Sequence, residues 1–199
     1  MKIPRPFLLF FYLFMTNFLY ALEANISYAT FKGMEQENYI EVYLHIQGKT
    51  VEFEKREEGY QAAIEVTLLF KQEGDIKKFD KYVLKSPEIS SLNMANLGIV
   101  DLKRLHLPNG DYSLEVQLSD LNDLGNKNKY RTKLSMNYSN ETIQISDIEL
   151  LGSFKESQYE DKYSKHGFTL KPYPYTTFPS YQKKLAFFTE VYNLSLIHI

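Results

Sequence analysis

Leu107-Pro108-Asn109-Gly110-Asp111-Tyr112-Ser113-Leu114-Glu115-Val116 is the stretch that decides the fold. Pro108 presets φ and Gly110 supplies a positive φ, so the two make a tight turn. An alternating strand follows, with Tyr112, Leu114, Val116 and Leu118 on one face and polar residues on the other. A tyrosine at the head of such a strand buries its ring while its hydroxyl bonds back to the chain. The competing reading is a plain hairpin turn with a surface tyrosine.

The same period of two runs outward in both directions. Upstream, Ile26 to Phe31 is a short first strand. In Tyr39 to Ile46, Ile40, Val42, Leu44 and Ile46 share one face, and Tyr39, Glu41, Tyr43 and His45 share the other. Val51 to Glu54 extends that hairpin past Gly48. Tyr60 to Phe70 places Ala62, Ile64, Val66, Leu68 and Phe70 together, and Lys77 to Leu84 returns until Ser86-Pro87 breaks it. Glu88 to Asn96 holds at most a helical turn, and Leu97 to Leu107 is the next strand. Downstream, Asp120 to Asn128 is a loop and Tyr130 to Tyr138 the last strand of the set. No long window carries helical periodicity, and a parallel sheet would need crossover helices. The chain is expected to be all-β, an immunoglobulin/fibronectin-like antiparallel β-sandwich with Tyr112 as its tyrosine corner.

Composition agrees. Of 199 residues, 16 are Tyr and 14 Phe, types that suit pleated, half-buried surfaces. A hydrophobic share of 44% can build a core, and a net charge of -2 gives no global field for nucleic acid. There is no Cys, which excludes disulfides, thiolate zinc sites, a Cys nucleophile and a lipoprotein anchor.

The two ends differ from the middle. Lys2 and Arg5 precede an apolar run, Phe7 to Phe18, and then small residues at Ala21 and Ala24, so residues 1–24 read as a secretory signal cleaved after Ala21 or Ala24. Residues 25–152 are the expected sandwich, and 153–166 read by composition as a linker. Residues 167–193, with Pro172, Pro174 and Pro179 in a loop, are expected to begin a second β-sandwich that is not completed. Thr177-Phe178 ahead of Glu190-Val191-Tyr192 echoes Thr30-Phe31 ahead of Glu41-Val42-Tyr43. Residues 194–199 read as a non-native tail.

Four phrases carry a resemblance: Tyr28-Ala29-Thr30-Phe31, Tyr39-Ile40-Glu41-Val42-Tyr43, the run Ile145 to Leu151, and the aromatic strand ending at Glu190 to Leu194. With them the chain resembles the N-terminal region of exported GWxTD-domain proteins of Gram-negative bacteria. The motif that names the family is missing, since the chain has no Trp. The resemblance implies architecture and an envelope location, not chemistry.

The search for chemistry returns no catalytic, cofactor-binding or metal residue. His45, His106, His166 and His198 show no metal-binding spacing. Asp120, Asn122 and Asp123 could offer oxygens to Ca²⁺ but fit an Asx turn better. Glu57-Glu58 and Glu160-Asp161 sit in solvated stretches. The sequons at Asn25, Asn137, Asn140 and Asn193 read as incidental. Tyr39, Tyr43 and other outward aromatics could face a glycan or peptide, or pair across strands. The expected function is a non-catalytic interaction or structural module of a periplasmic or cell-surface protein. Its partner would be a protein or glycan of the envelope, and the membrane would be met only through the signal segment. The alternatives are a carbohydrate-binding accessory domain, for which the absent Trp is unfavourable, or the non-catalytic N-terminal part of an enzyme.

Overall fold

The computed structural model describes residues 21–33, 38–175 and 177–196. Most of the expected signal segment, and His198 with the end of the tail, lie outside them. In chain order the strands are β1 Ala24–Phe31, β2 Tyr39–Ile46, β3 Glu54–Lys55, β4 Tyr60–Gln61, β5 Ala63–Gln72, β6 Asp75–Lys85, β7 Ile99–His106, β8 Gly110–Asp120 and β9 Lys127–Met136. They continue with β10 Gln144–Ile145, β11 Glu149–Glu156, β12 Ser164–Lys165, β13 Phe168–Pro172, β14 Ala186–Phe188 and β15 Val191–Tyr192.

Two antiparallel sheets form the sandwich, one in the order β1-β2-β7 and one in the order β6-β5-β8-β9. The alternation explains why they stack. Ile40, Val42, Leu44 and Ile46 of β2 meet Ile64, Val66, Leu68 and Phe70 of β5 and Leu114, Val116 and Leu118 of β8 in one core, each at most 1% exposed. Fully burying such a side chain contributes about 1.5–3 kcal/mol. At the head of β8, Tyr112 is 5% exposed and its hydroxyl donates to the Pro108 carbonyl at 3.0 Å. This is the tyrosine corner. Gly110, at φ 153°, makes room for it, because a Cβ there would meet the Tyr112 ring at 3.3 Å and collide with the Gln72 amide.

The chain enters the sandwich at Leu22, which is wholly buried. Its N–H donates to Asn126 Oδ1 at 2.7 Å, and its carbonyl accepts from Asn128 Nδ2 at 2.7 Å. Elsewhere the structure redraws the expected elements. Val51 to Glu54 does not extend the β2 hairpin: Gly48–Thr50 is a short 3-10 turn, Val51 and Phe53 turn into the core, and only Glu54–Lys55 pairs, with β4. Near the end of the chain, β15 pairs with β10 while β14 pairs with β11, which divides the aromatic run there into two short strands. Thr177-Phe178 lies outside any strand whereas Thr30-Phe31 closes β1, so the echoed phrases occupy different local structure.

Residues 153–166, expected as a linker, instead carry the second half of β11 and all of β12. Polar composition misleads here because Lys165 is buried between two acids, Glu41 and Glu149, not exposed as a spacer. Together β12-β13-β11-β14 form a third sheet, which lies across the outer face of the β1-β2-β7 sheet. Phe188 of β14 packs on Phe31 of β1 with ring centroids 6.2 Å apart, and Tyr163 joins the same small cluster with Ala29, Tyr43 and Leu102. Polar pins add to it: Thr30 N–H and Oγ1 both donate to Asp147 Oδ2, and Lys32 N–H donates to the Tyr192 hydroxyl. Both faces of β2 are therefore covered.

Candidate functional site

The register of β1, β2 and β7 sets the rows of this covered face: Phe31 beside Tyr39 beside His106, then Ala29 beside Glu41 beside Arg104, then Ser27 beside Tyr43 beside Leu102. Glu41 thus sits in mid-sheet, and the third sheet seals it to 0% exposure. A lone carboxylate could not stay ionised there. Lys165 Nζ reaches Glu41 Oε2 at 2.6 Å and Glu149 Oε2 of β11 at 2.8 Å. It also lies 3.8 Å from the centroid of the Phe31 ring, a cation–π contact. From the β7 side, Arg104 donates to Glu41 Oε1 through Nε at 2.7 Å and Nη2 at 2.6 Å. Tyr43 donates its hydroxyl to Glu41 Oε2 at 2.7 Å.

Two acids are thus shared by two cations across two sheets. Burial, and secondarily the Glu41 charge, push the Tyr43 hydroxyl far above the ordinary tyrosine value. Burial also pushes Glu149 up, against the pull of Lys165, and Glu149 Oε1 is buried without a hydrogen-bond partner. The acid partners were legible in sequence only as polar residues in apolar runs, Glu41 between Ile40 and Val42, and Glu149 between Ile148 and Leu150. Arg104 and Lys165 carried no such signal.

The cluster opens to solvent at one end. Arg104, its side chain 40% exposed, faces a groove of about 620 Å³ between the sandwich and the C-terminal strands. Tyr39 and Tyr192 line it, and it brings together His106 and His166, which sequence spacing left unconnected. His166 Nε2 lies 3.1 Å from Glu190 Oε1, and the Tyr192 hydroxyl donates to Glu190 Oε2 at 2.7 Å. At the other end of the same face His45 is separate. Its ring meets Tyr175 edge-on at 5.2 Å, and Tyr175 leads to a stacked Tyr173–Phe178 pair with centroids 4.5 Å apart.

The remaining candidates are tied into structure. Asp120 is wholly buried: Oδ1 accepts from the N–H of Asn122 at 2.9 Å, an Asx turn, and Oδ2 accepts from Glu52 N–H at 2.7 Å. Glu57, Glu58, Glu160 and Asp161 are exposed. Glu115, on the outer face of β8, is 1% exposed beneath Lys129, Arg131 and Lys71, at 2.7, 2.8 and 3.2 Å. Bonds from Lys129, then Arg131, hold its carboxyl well below the usual range. Among the described residues no helix is long and apolar enough to cross a membrane. No family model matches the chain, and neither a curated protein nor a solved structure is significantly similar to it.

Proposed function

We propose that the chain is a non-catalytic interaction module of an exported bacterial envelope protein, related to the GWxTD-domain proteins whose strand phrases it resembles. The observation that carries this reading is the use made of its charged groups. Glu41, Glu149 and Lys165 fasten one sheet onto another, and Glu115 and Asp120 are bound by their own neighbours. The chemistry is spent on holding a rigid three-sheet stack. A three-sheet stack with a groove lined from two of its layers suits recognition.

Incubating the purified mature chain with peptidoglycan, surface polysaccharide and membrane-protein fractions tests the reading. Retention by one fraction, with that fraction's mass spectrum unchanged, is expected. Retention by none rejects an interaction module, and chemical conversion of the retained material makes the chain part of an enzyme. Carbohydrate binding is the second reading, favoured by the tyrosines along the groove.

Export makes a sharper prediction. Cleavage after Ala24 would remove the buried Leu22 and its bonds to Asn126 and Asn128, whereas cleavage after Ala21 keeps them. The mature N-terminus is expected to be Leu22. N-terminal sequencing of exported protein decides it, and a start at Asn25 would contradict it.

A further inference from the structure

The geometry points to the groove beside Arg104 as a binding site for a carboxylate-bearing sugar, a uronate unit of an acidic oligosaccharide. This deepens the reading of the chain as a recognition module and rests on it. A groove of about 620 Å³ has room for an oligosaccharide segment.

Arg104 supplies the carboxylate receptor. A guanidinium carries five N–H donors in a fixed plane. Glu41 Oε1 takes Nε and one Nη2 bond, and Arg104 makes no further hydrogen bond among the described residues. Buried Glu41 and the Tyr39 ring, 5.5 Å from the guanidinium carbon, hold that plane in place. The rest of the fork is presented, already oriented, to the groove, the arrangement that suits a planar carboxylate. Lys32 adds a second cation on the same rim, tethered to Asn193 Oδ1 at 2.7 Å.

The other lining matches the remainder of a sugar. Tyr192 lines the groove and offers ring surface to the apolar face of a pyranose, while the Tyr39 ring is taken up by Phe31 and the Arg104 guanidinium. The His166–Glu190 pair offers a donor and acceptor oxygens for hydroxyls. His166 and Asn193 hold left-handed backbone, φ 49° and 62°, at the rim. A peptide with a free C-terminus would use the fork but leave the hydroxyl-binding pair idle.

The test is calorimetry of the mature chain with oligogalacturonate, oligoglucuronate and oligomannuronate, each against its methyl ester, and with a peptide bearing a free C-terminal carboxylate. At least one uronate should bind at least tenfold more tightly than its ester. Arg104→Lys keeps a charge for Glu41 but loses the fork, and should weaken that binding tenfold or more. Lys32→Gln lies outside the buried cluster and should weaken it severalfold with an unchanged melting temperature. Three outcomes overturn the proposal: equal affinity for acid and ester, affinity unmoved by both substitutions, or no uronate bound as tightly as the peptide. If the uronates fail while an envelope fraction still retains the chain, the ligand assignment falls and the interaction module stands.

Discussion

Tyr112 and Lys165 show two different ways a single side chain holds this protein. Tyr112 works by packing plus one hydrogen bond to Pro108. Tyr112→Phe should cost about 1 kcal/mol, the net worth of one such bond. Tyr112→Ala opens a cavity and should cost about 3–5 kcal/mol. Urea unfolding of the two variants measures both, and a Phe variant as stable as the parent would leave only the packing role. Lys165 works by neutralising acids that burial would otherwise make intolerable. Lys165→Met keeps much of the stem but strands Glu41 and Glu149, and breaking a buried pair in this way costs about 3–5 kcal/mol. The triple change of Lys165, Glu41 and Glu149 to apolar residues of similar size should recover most of that loss, because no buried charge is then left alone. If the triple variant is no better than Lys165→Met, the loss comes from packing around Phe31 instead.

At the scale of elements, the sandwich strands were legible and the third sheet was not. β2, β5 and β8 announce themselves by alternation, since each has one wet or polar face to contrast with its core face. The face of β2 that holds Tyr39, Glu41, Tyr43 and His45 reads as solvent-facing in any local window. What covers it lies more than a hundred residues away, in strands of two to eight residues that are too short or too polar to show a period. The seam groove was illegible for the same reason: Arg104 lies on β7 and Glu190 in the link between β14 and β15, and only the register of β7 and the path to β15 bring them together. Two buried carboxylates also give opposite pH dependences. Glu115 on β8 has a depressed carboxyl, so its stabilisation is present above the ordinary carboxylate range, about pH 4, and is lost as the pH falls below it. Glu149 on β11 has a raised one, so the folded state holds the extra proton and stability falls as the pH rises through that window. From pH 3 to pH 7 the cost of Glu115→Gln should therefore grow, while that of Glu149→Gln should shrink. Denaturant midpoints of both variants across that range check the signs, and parallel curves would refute the difference.

For the whole molecule, the three sheets are joined by pairing and packing across chain segments far apart in sequence. The turn around Tyr159, a residue 87% exposed, is the natural site for a protease. A cut there separates β11 from β12, β13 and β14 along the chain but leaves β13 and β14 hydrogen-bonded to β11. The nicked protein should migrate as two pieces on a denaturing gel and as one species in size-exclusion chromatography. Separation of the pieces without denaturant would show that the third sheet is held mainly by covalent continuity. The late position of that sheet also has a consequence for how the protein comes into being. A ribosome or an export channel releases β1 to β9 first, so a nascent chain can close its sandwich core while Glu41, Tyr43 and Phe31 still face outward. Until the last fifty or so residues emerge, this newborn intermediate carries an apolar strip with an acid at its centre. That strip is open to a chaperone, or to the closing sheet of a sister molecule exchanged in place of its own.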